Sequence, residues 1–218
     1  MYIQLNSQII CYEKTGAGSP VILLHGNKED HHIFDPLVEV MNGDHTVYAM
    51  DTRGHGESAT PKEYHYEDMA SDVINLIHAL DIEKPHIVGF SDGGIVALLV
   101  AMRDSSLISG IICCGANLTP AGFNHRTVRQ IKRAYKEDND PRTLLMLEEP
   151  NIDPSQLSRI AVPALIMAGE NDCIREKETK RIAAAIPNSE IKIIPNATHD
   201  SYVVNNEKLY NEIKFYLR

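Results

Sequence analysis

The chain has 218 residues, 43% of them hydrophobic and 23% charged, with a net charge of −9 at pH 7. That length suits one domain able to bury roughly 70% of its unfolded surface, and the apolar content excludes a disordered chain. The acidic balance disfavours nucleic acid and anionic membrane as main partners, because both reward basic surfaces.

The longest apolar run, Ile95–Met102, is far too short to span a bilayer. The first ten residues, MYIQLNSQII, lack the basic, then apolar, then small-residue order of a signal peptide, so a cytoplasmic protein is expected. Cysteines 11, 113, 114 and 173 have no Cys-x-x-Cys spacing and read as free thiols in a reducing compartment. Cys113 and Cys114 are neighbours in an apparent strand, so they point to opposite faces and do not pair with each other.

Ile3–Leu5 and Ile9–Glu13 read as a hairpin or antiparallel edge, followed by a turn over Thr15–Pro20. Val21–Leu24 is fully apolar, hence a central strand. Ile33–Val40 reads as a helix and Thr46–Met50 as a second buried strand. In Glu67–Leu80, apolar residues at Met69, Val73, Leu76, Ile77 and Leu80 have the spacing of a helix with one buried face. Ile87–Phe90, Leu107–Cys113, Ala164–Ala168 and Ile191–Ile194 complete a series of short apolar strands. Ile95–Met102, Lys177–Ile186 and Glu207–Leu217 read as the helices between and after them. Strands alternating with helices predict βαβ units, and continuous apolar strands predict a sheet covered on both faces. Asn117–Arg159 has no strand reading; it is polar, helix-like and punctuated by prolines, which predicts a short cap at about 117–159 on a single domain spanning 1–218.

In such a sheet, ligands sit at the carboxyl ends of the strands. Val21–Leu24 delivers His25-Gly26-Asn27 there, and Thr46–Met50 delivers Asp51-Thr52-Arg53-Gly54-His55-Gly56-Glu57-Ser58. Ile87–Phe90 delivers Ser91, Ala164–Ala168 delivers Gly169-Glu170-Asn171-Asp172, and Ile191–Ile194 leads to His199. Ser91 lies between Gly89 and Gly93 where a strand reading hands over to a helix reading. That is the setting of a nucleophile on a sharp elbow, whose flanks must lack side chains so that strand and helix can close up. A serine hydroxyl is a weak nucleophile at neutral pH and needs an adjacent base. His199 alone among the ten histidines follows the last strand and precedes the last helix. His31, His32, His65, His78 and His125 lack a strand-end setting, and no histidine pair has zinc-ligand spacing with a third partner. No Gly-x-Gly-x-x-Gly follows a strand, so no nicotinamide, flavin or metal cofactor is expected.

These motifs, His25-Gly26-Asn27, DTRGHGES, GFSDGG, GEND and NATH in that order, resemble the α/β-hydrolase superfamily over nearly the whole length, with small short-capped bacterial esterases the nearest flavour. The resemblance implies a mostly parallel sheet of about eight strands with helices on both faces. It implies a Ser91–His199–Asp172 triad, with an oxyanion hole built from the backbone N–H groups of Asn27 and Asp92. Glu170 is the rival acid, two residues earlier; the family's usual position, three residues beyond the strand's terminal glycine, favours Asp172. The alternative acid site after the sixth strand reads Gly115-Ala116-Asn117-Leu118 and holds no carboxylate. His25 and His55 fall at positions that are usually structural in the family. Phe34, Phe123, Met146 and Ile174 are the expected lining of an acyl pocket. Asp92 has two readings, a carboxylate in the first turn of a helix or a grip for a cationic substrate. Arg53 is expected in a local ion pair. The stripe Arg126, Arg129 and Arg133 in the cap is a solvated face or a lure for anionic acyl groups.

The function implied is a serine carboxylesterase acting on a small-molecule ester or thioester, as a monomer or homodimer. A carbon–carbon bond hydrolase with the same triad, and a slow-turnover ligand sensor that retains it, are the alternatives.

Overall fold

The computed structural model describes residues 1–6 and 8–217, and the fold is organised by one eight-stranded sheet. The strands are β1 (Tyr2–Leu5), β2 (Gln8–Gly16), β3 (Ser19–Leu24), β4 (His45–Met50), β5 (His86–Phe90), β6 (Gly110–Cys114), β7 (Ala164–Gly169) and β8 (Ser189–Ile194). Their order across the sheet is β1-β2-β4-β3-β5-β6-β7-β8. β1 and β2 run antiparallel at one edge, and from β4 onward every neighbouring pair is parallel. Parallel strands need crossovers, supplied by helices α1 (Asp35–Met41), α2 (Tyr66–Ala79), α3 (Asp92–Arg103) and α6 (Glu176–Ala185) and, between β6 and β7, by a segment that holds two further helices. The remaining helices are α4 (His125–Asp138), α5 (Pro141–Glu148) and α7 (Lys208–Ile213).

The two-residue period of a strand sorts its side chains between two cores. In β3, Ile22 and Leu24 join the core under α2, α3 and α6, while Val21 and Leu23 join the core under α1 and α7. Cys113 and Cys114 divide the same way, and all four cysteines are free. The central strands are buried on both sides, as their unbroken apolar runs require, whereas β8 at the edge leaves Ile191 exposed.

Several boundaries differ from the sequence reading. The predicted helix over Ile33–Val40 is a 3-10 turn, His31–Phe34, followed by α1, because Pro36 sits in the first turn of α1. Leu107 belongs to a 3-10 turn, and the sixth strand begins only at Gly110. The last helix is six residues rather than eleven. The turn between β2 and β3 shrinks to Ala17-Gly18, since β2 pairs with β4 as far as Gly16. Between β6 and β7 lie α4, α5 and two 3-10 turns, Pro120–Gly122 and Pro154–Arg159. A small apolar cluster of Phe123, Ile131 and Ile174 ties α4 to the loop after β7. Among the described residues, no helix is long and apolar enough to cross a membrane.

Candidate active site

Ser91 is held by an elbow that only these neighbours permit. Its backbone has φ 52° and ψ −112°, a conformation that side-chain-bearing residues rarely adopt. Its N–H donates to the Cys114 carbonyl at 2.7 Å, which holds the strained residue against β6. A β-carbon on Gly89 would sit 2.1 Å from the Gly93 carbonyl oxygen, and one on Gly93 would sit 2.1 Å from that of Leu24. Neither distance is tolerable, so both positions need glycine.

Three side chains far apart in the chain meet at the rim of the sheet. The Ser91 hydroxyl lies 3.0 Å from His199 Nε2, and His199 Nδ1 lies 2.7 Å from Asp172 Oδ1. The carboxylate is anchored in turn: Ile174 N–H donates to Oδ1 at 2.8 Å and Gly169 N–H to Oδ2 at 3.1 Å. A carboxylate at Nδ1 fixes the tautomer with the proton there, which leaves Nε2 to accept from the serine. The Phe90 ring packs on the imidazole at 4.9 Å. Burial disfavours a charged imidazole, but the Asp172 hydrogen bond and charge outweigh it, with Cys173 adding to them. His199 is therefore more basic than a free histidine. Burial likewise opposes ionised Asp172, and its bonds from His199, Ile174 and Gly169 overcome that and hold it below the usual carboxylate range.

Glu170 is turned elsewhere. Its Oε2 accepts from the Asn196 N–H at 2.8 Å, on the exposed side of the loop. His25 and His55 are tied into the loop after β4: His25 Nε2 accepts the Thr52 N–H at 3.0 Å, and His55 Nδ1 lies 3.1 Å from Thr52 Oγ1. Arg53 makes a two-pronged pair with Asp72 at 2.7 and 2.8 Å and reaches Asp68 at 2.9 Å.

The Ser91–His199 pair opens into a cavity of about 420 Å³. Phe123 and Met146 line it as expected. Phe34 and Ile174 do not, which corrects the sequence reading. Phe34 is fully buried in the core under α1, and Ile174 pairs through its backbone with Phe123 and packs in the cap cluster. Sequence reasoning missed Glu29, Asn171, Cys173, Thr198 and Asp200, which also line the cavity. Each of these lies within two residues of Asn27, Asp172 or His199, so adjacency along the chain was the available signal; Thr127 of α4 also lines the cavity and carried no such signal.

The Asn27 and Asp92 amides, among the described residues, meet no protein acceptor; Asn27 lies in the loop after β3 and Asp92 is the first residue of α3, directly after Ser91. The Asp92 side chain is buried and committed: Asn27 Nδ2 donates to it at 2.8 Å and Tyr66 also hydrogen-bonds it. Burial raises its pKa to about 6 against those two bonds, and it is absent from the lining of the cavity. The stripe of Arg126, Arg129 and Arg133 is exposed and likewise absent from the lining; Arg133 pairs with Glu137 at 2.8 Å. A second cavity of about 340 Å³ between α2 and the end of the cap holds no serine or cysteine.

A family model described as alpha/beta hydrolase fold matches residues 19–140, more than half of the chain. This chain belongs to that family. Among relatives of this α/β hydrolase, the AB hydrolase superfamily protein YisY of Bacillus subtilis is 26% identical over 256 aligned positions, covering 95% of each chain. The serine hydrolase BPHL of Homo sapiens is 27% identical over 235 positions, 92% of this hydrolase and 80% of that protein. Among solved structures, the esterase EaEST from Exiguobacterium antarcticum superposes with a TM-score of 0.86 at 21% identity, over 99% of this chain and 98% of that one. At that identity the likeness is one of fold.

Proposed function

We propose that this α/β hydrolase cleaves small carboxylic esters through an acyl-enzyme on Ser91. The observation that carries the reading is the hydrogen-bonded line Asp172–His199–Ser91 opening into a cavity of small-ligand size.

Each atom in the line has a task. As Ser91 Oγ attacks the ester carbonyl carbon, its proton passes to His199 Nε2, and Asp172 stabilises the imidazolium so formed. The carbonyl oxygen takes up the negative charge between the Asn27 and Asp92 N–H groups, and each such donor is worth about 2.7–4 kcal/mol. The C–O bond to the leaving group breaks, and His199 returns the proton to the departing alkoxide. Water then attacks the acyl-enzyme with His199 again as base, which releases the carboxylic acid and restores the Ser91 hydroxyl. The same steps serve a thioester.

Activated esters of rising acyl length, assayed with native protein and Ser91→Ala, test this. Native protein treated with a fluorophosphonate should carry one adduct, on Ser91 by peptide mass spectrometry. The variant should lose activity by several orders of magnitude. An unlabelled Ser91, or an undiminished variant, would refute the assignment.

A further inference from the structure

We propose that Glu29 makes this site anion-excluding, so that it prefers neutral acyl chains over those bearing a carboxylate and expels its own acid product. The inference rests on the ester-hydrolysis reading above and deepens it.

The observation is one of placement. Glu29 follows the Asn27 loop, and its carboxyl folds back so that Oε2 accepts the Gly26 N–H at 2.9 Å, while Glu29 N–H faces the Gly26 carbonyl at 3.4 Å. A β-carbon on Gly26 would lie 2.7 Å from Glu29 Oε2 and 3.2 Å from Ser91 Cβ. The carboxyl oxygen and the nucleophile therefore flank the same backbone atom. Glu29 and Asp200 are the acidic side chains of the cavity wall, and among its described residues none is lysine or arginine. The nearest lysine in sequence, Lys28, is turned outward to Asp138 at 2.8 Å and Asp140 at 3.1 Å, where it neutralises nothing in the cavity.

Every turnover of an ester leaves a carboxylate beside Ser91. An ionised Glu29 repels it, and repels in the same way a substrate that carries a second carboxylate. Burial lifts Glu29 to about 7, its Gly26 bond and His199 pull it down, and Asp92 and Asp200 push it up. Repulsion therefore grows as pH rises through that value.

The test compares matched activated esters, one with a methyl-terminated and one with a carboxylate-terminated acyl chain, in native protein and Glu29→Gln. Glutamine keeps an oxygen acceptor for the Gly26 N–H and removes the charge. The expected result at pH 8 and low salt is a neutral-to-anionic ratio of kcat/KM that falls about tenfold in the variant, on the order of one partly screened charge pair. The native ratio should climb between pH 6 and 8, and the climb should vanish in the variant. A brace for the loop alone would slow both esters equally and leave the ratio unmoved, which would overturn the proposal. Native protein supplies a second readout that needs no variant: the amide of the product acid should inhibit at least as tightly as the acid itself. Tighter inhibition by the acid would also overturn it. Absence of turnover with any ester, together with an unlabelled Ser91, would instead strike the underlying ester reading.

Discussion

Helices α3 and α4 have similar lengths, twelve and fourteen residues, and opposite roles. Ten residues of α3 are buried, wedged between β3, β5 and β6, whereas only Ile131 is buried in α4. At the N-terminal end of α3, beside Ser91, glycines 89 and 93 bring backbone against backbone. α4 rests on the sheet domain through a small apolar cluster and presents a charged outer face. The contrast teaches where precision is needed. Groups that react must be held to fractions of an ångström by a dry core, while a wall that only shapes the cavity needs a few anchoring contacts.

The largest way to sharpen that contrast is to disturb the line itself. Asp172→Asn should lower kcat about 10⁴-fold, because the imidazole loses its tautomer control. Loss of the carboxylate also removes what makes His199 more basic, so the acidic limb of the pH–kcat/KM profile should move to lower pH. Glu170→Gln in the same assay should keep most activity. If the effects of the two substitutions were exchanged, the choice of acid would fail.

Next in size is the packing of the elbow against that of the cap. Gly93→Ala places a methyl group against the Leu24 carbonyl oxygen and should cost about 3 kcal/mol in urea unfolding. Ile131→Ala should cost about 2 kcal/mol or less and change acyl-length preference instead. Equal losses would mean that the cap is as integral to the core as α3.

Smallest of all should be the outer face of α4. Replacing Arg126 and Arg129 together by glutamine should change the neutral-to-anionic ester ratio less than twofold across a salt series, since neither side chain lines the cavity. A large change would restore the cap as an electrostatic lure.

The βαβ alternation, the buried strands and the Gly-x-Ser-x-Gly elbow were legible because each is written in short-range patterning. A two-residue or 3.6-residue period and a pair of glycines are properties of adjacent positions. The order of the strand-end loops also brought Ser91, His199 and an acid, Glu170 or Asp172, to one rim, and the family resemblance chose Asp172. Which side chains line the cavity was not legible. Phe34 and Ile174 have the same composition signal as Phe123 and Met146, yet only the latter two reach the cavity wall. Glu29 was invisible for a related reason: a glutamate in a polar loop is unremarkable until its carboxyl is seen folding back onto Gly26 beside Ser91.

Local patterning thus decided the fold class, the elbow and the strand-end positions of the candidate reacting groups, because backbone sterics and hydrophobic period act between near neighbours. The tertiary structure decided the facing of Asp172 toward His199, the turning of Glu170 toward Asn196, and the acidic character of the cavity wall. Those outcomes depend on contacts between residues as much as 108 positions apart, whose geometry exists only once both cores have closed around the sheet.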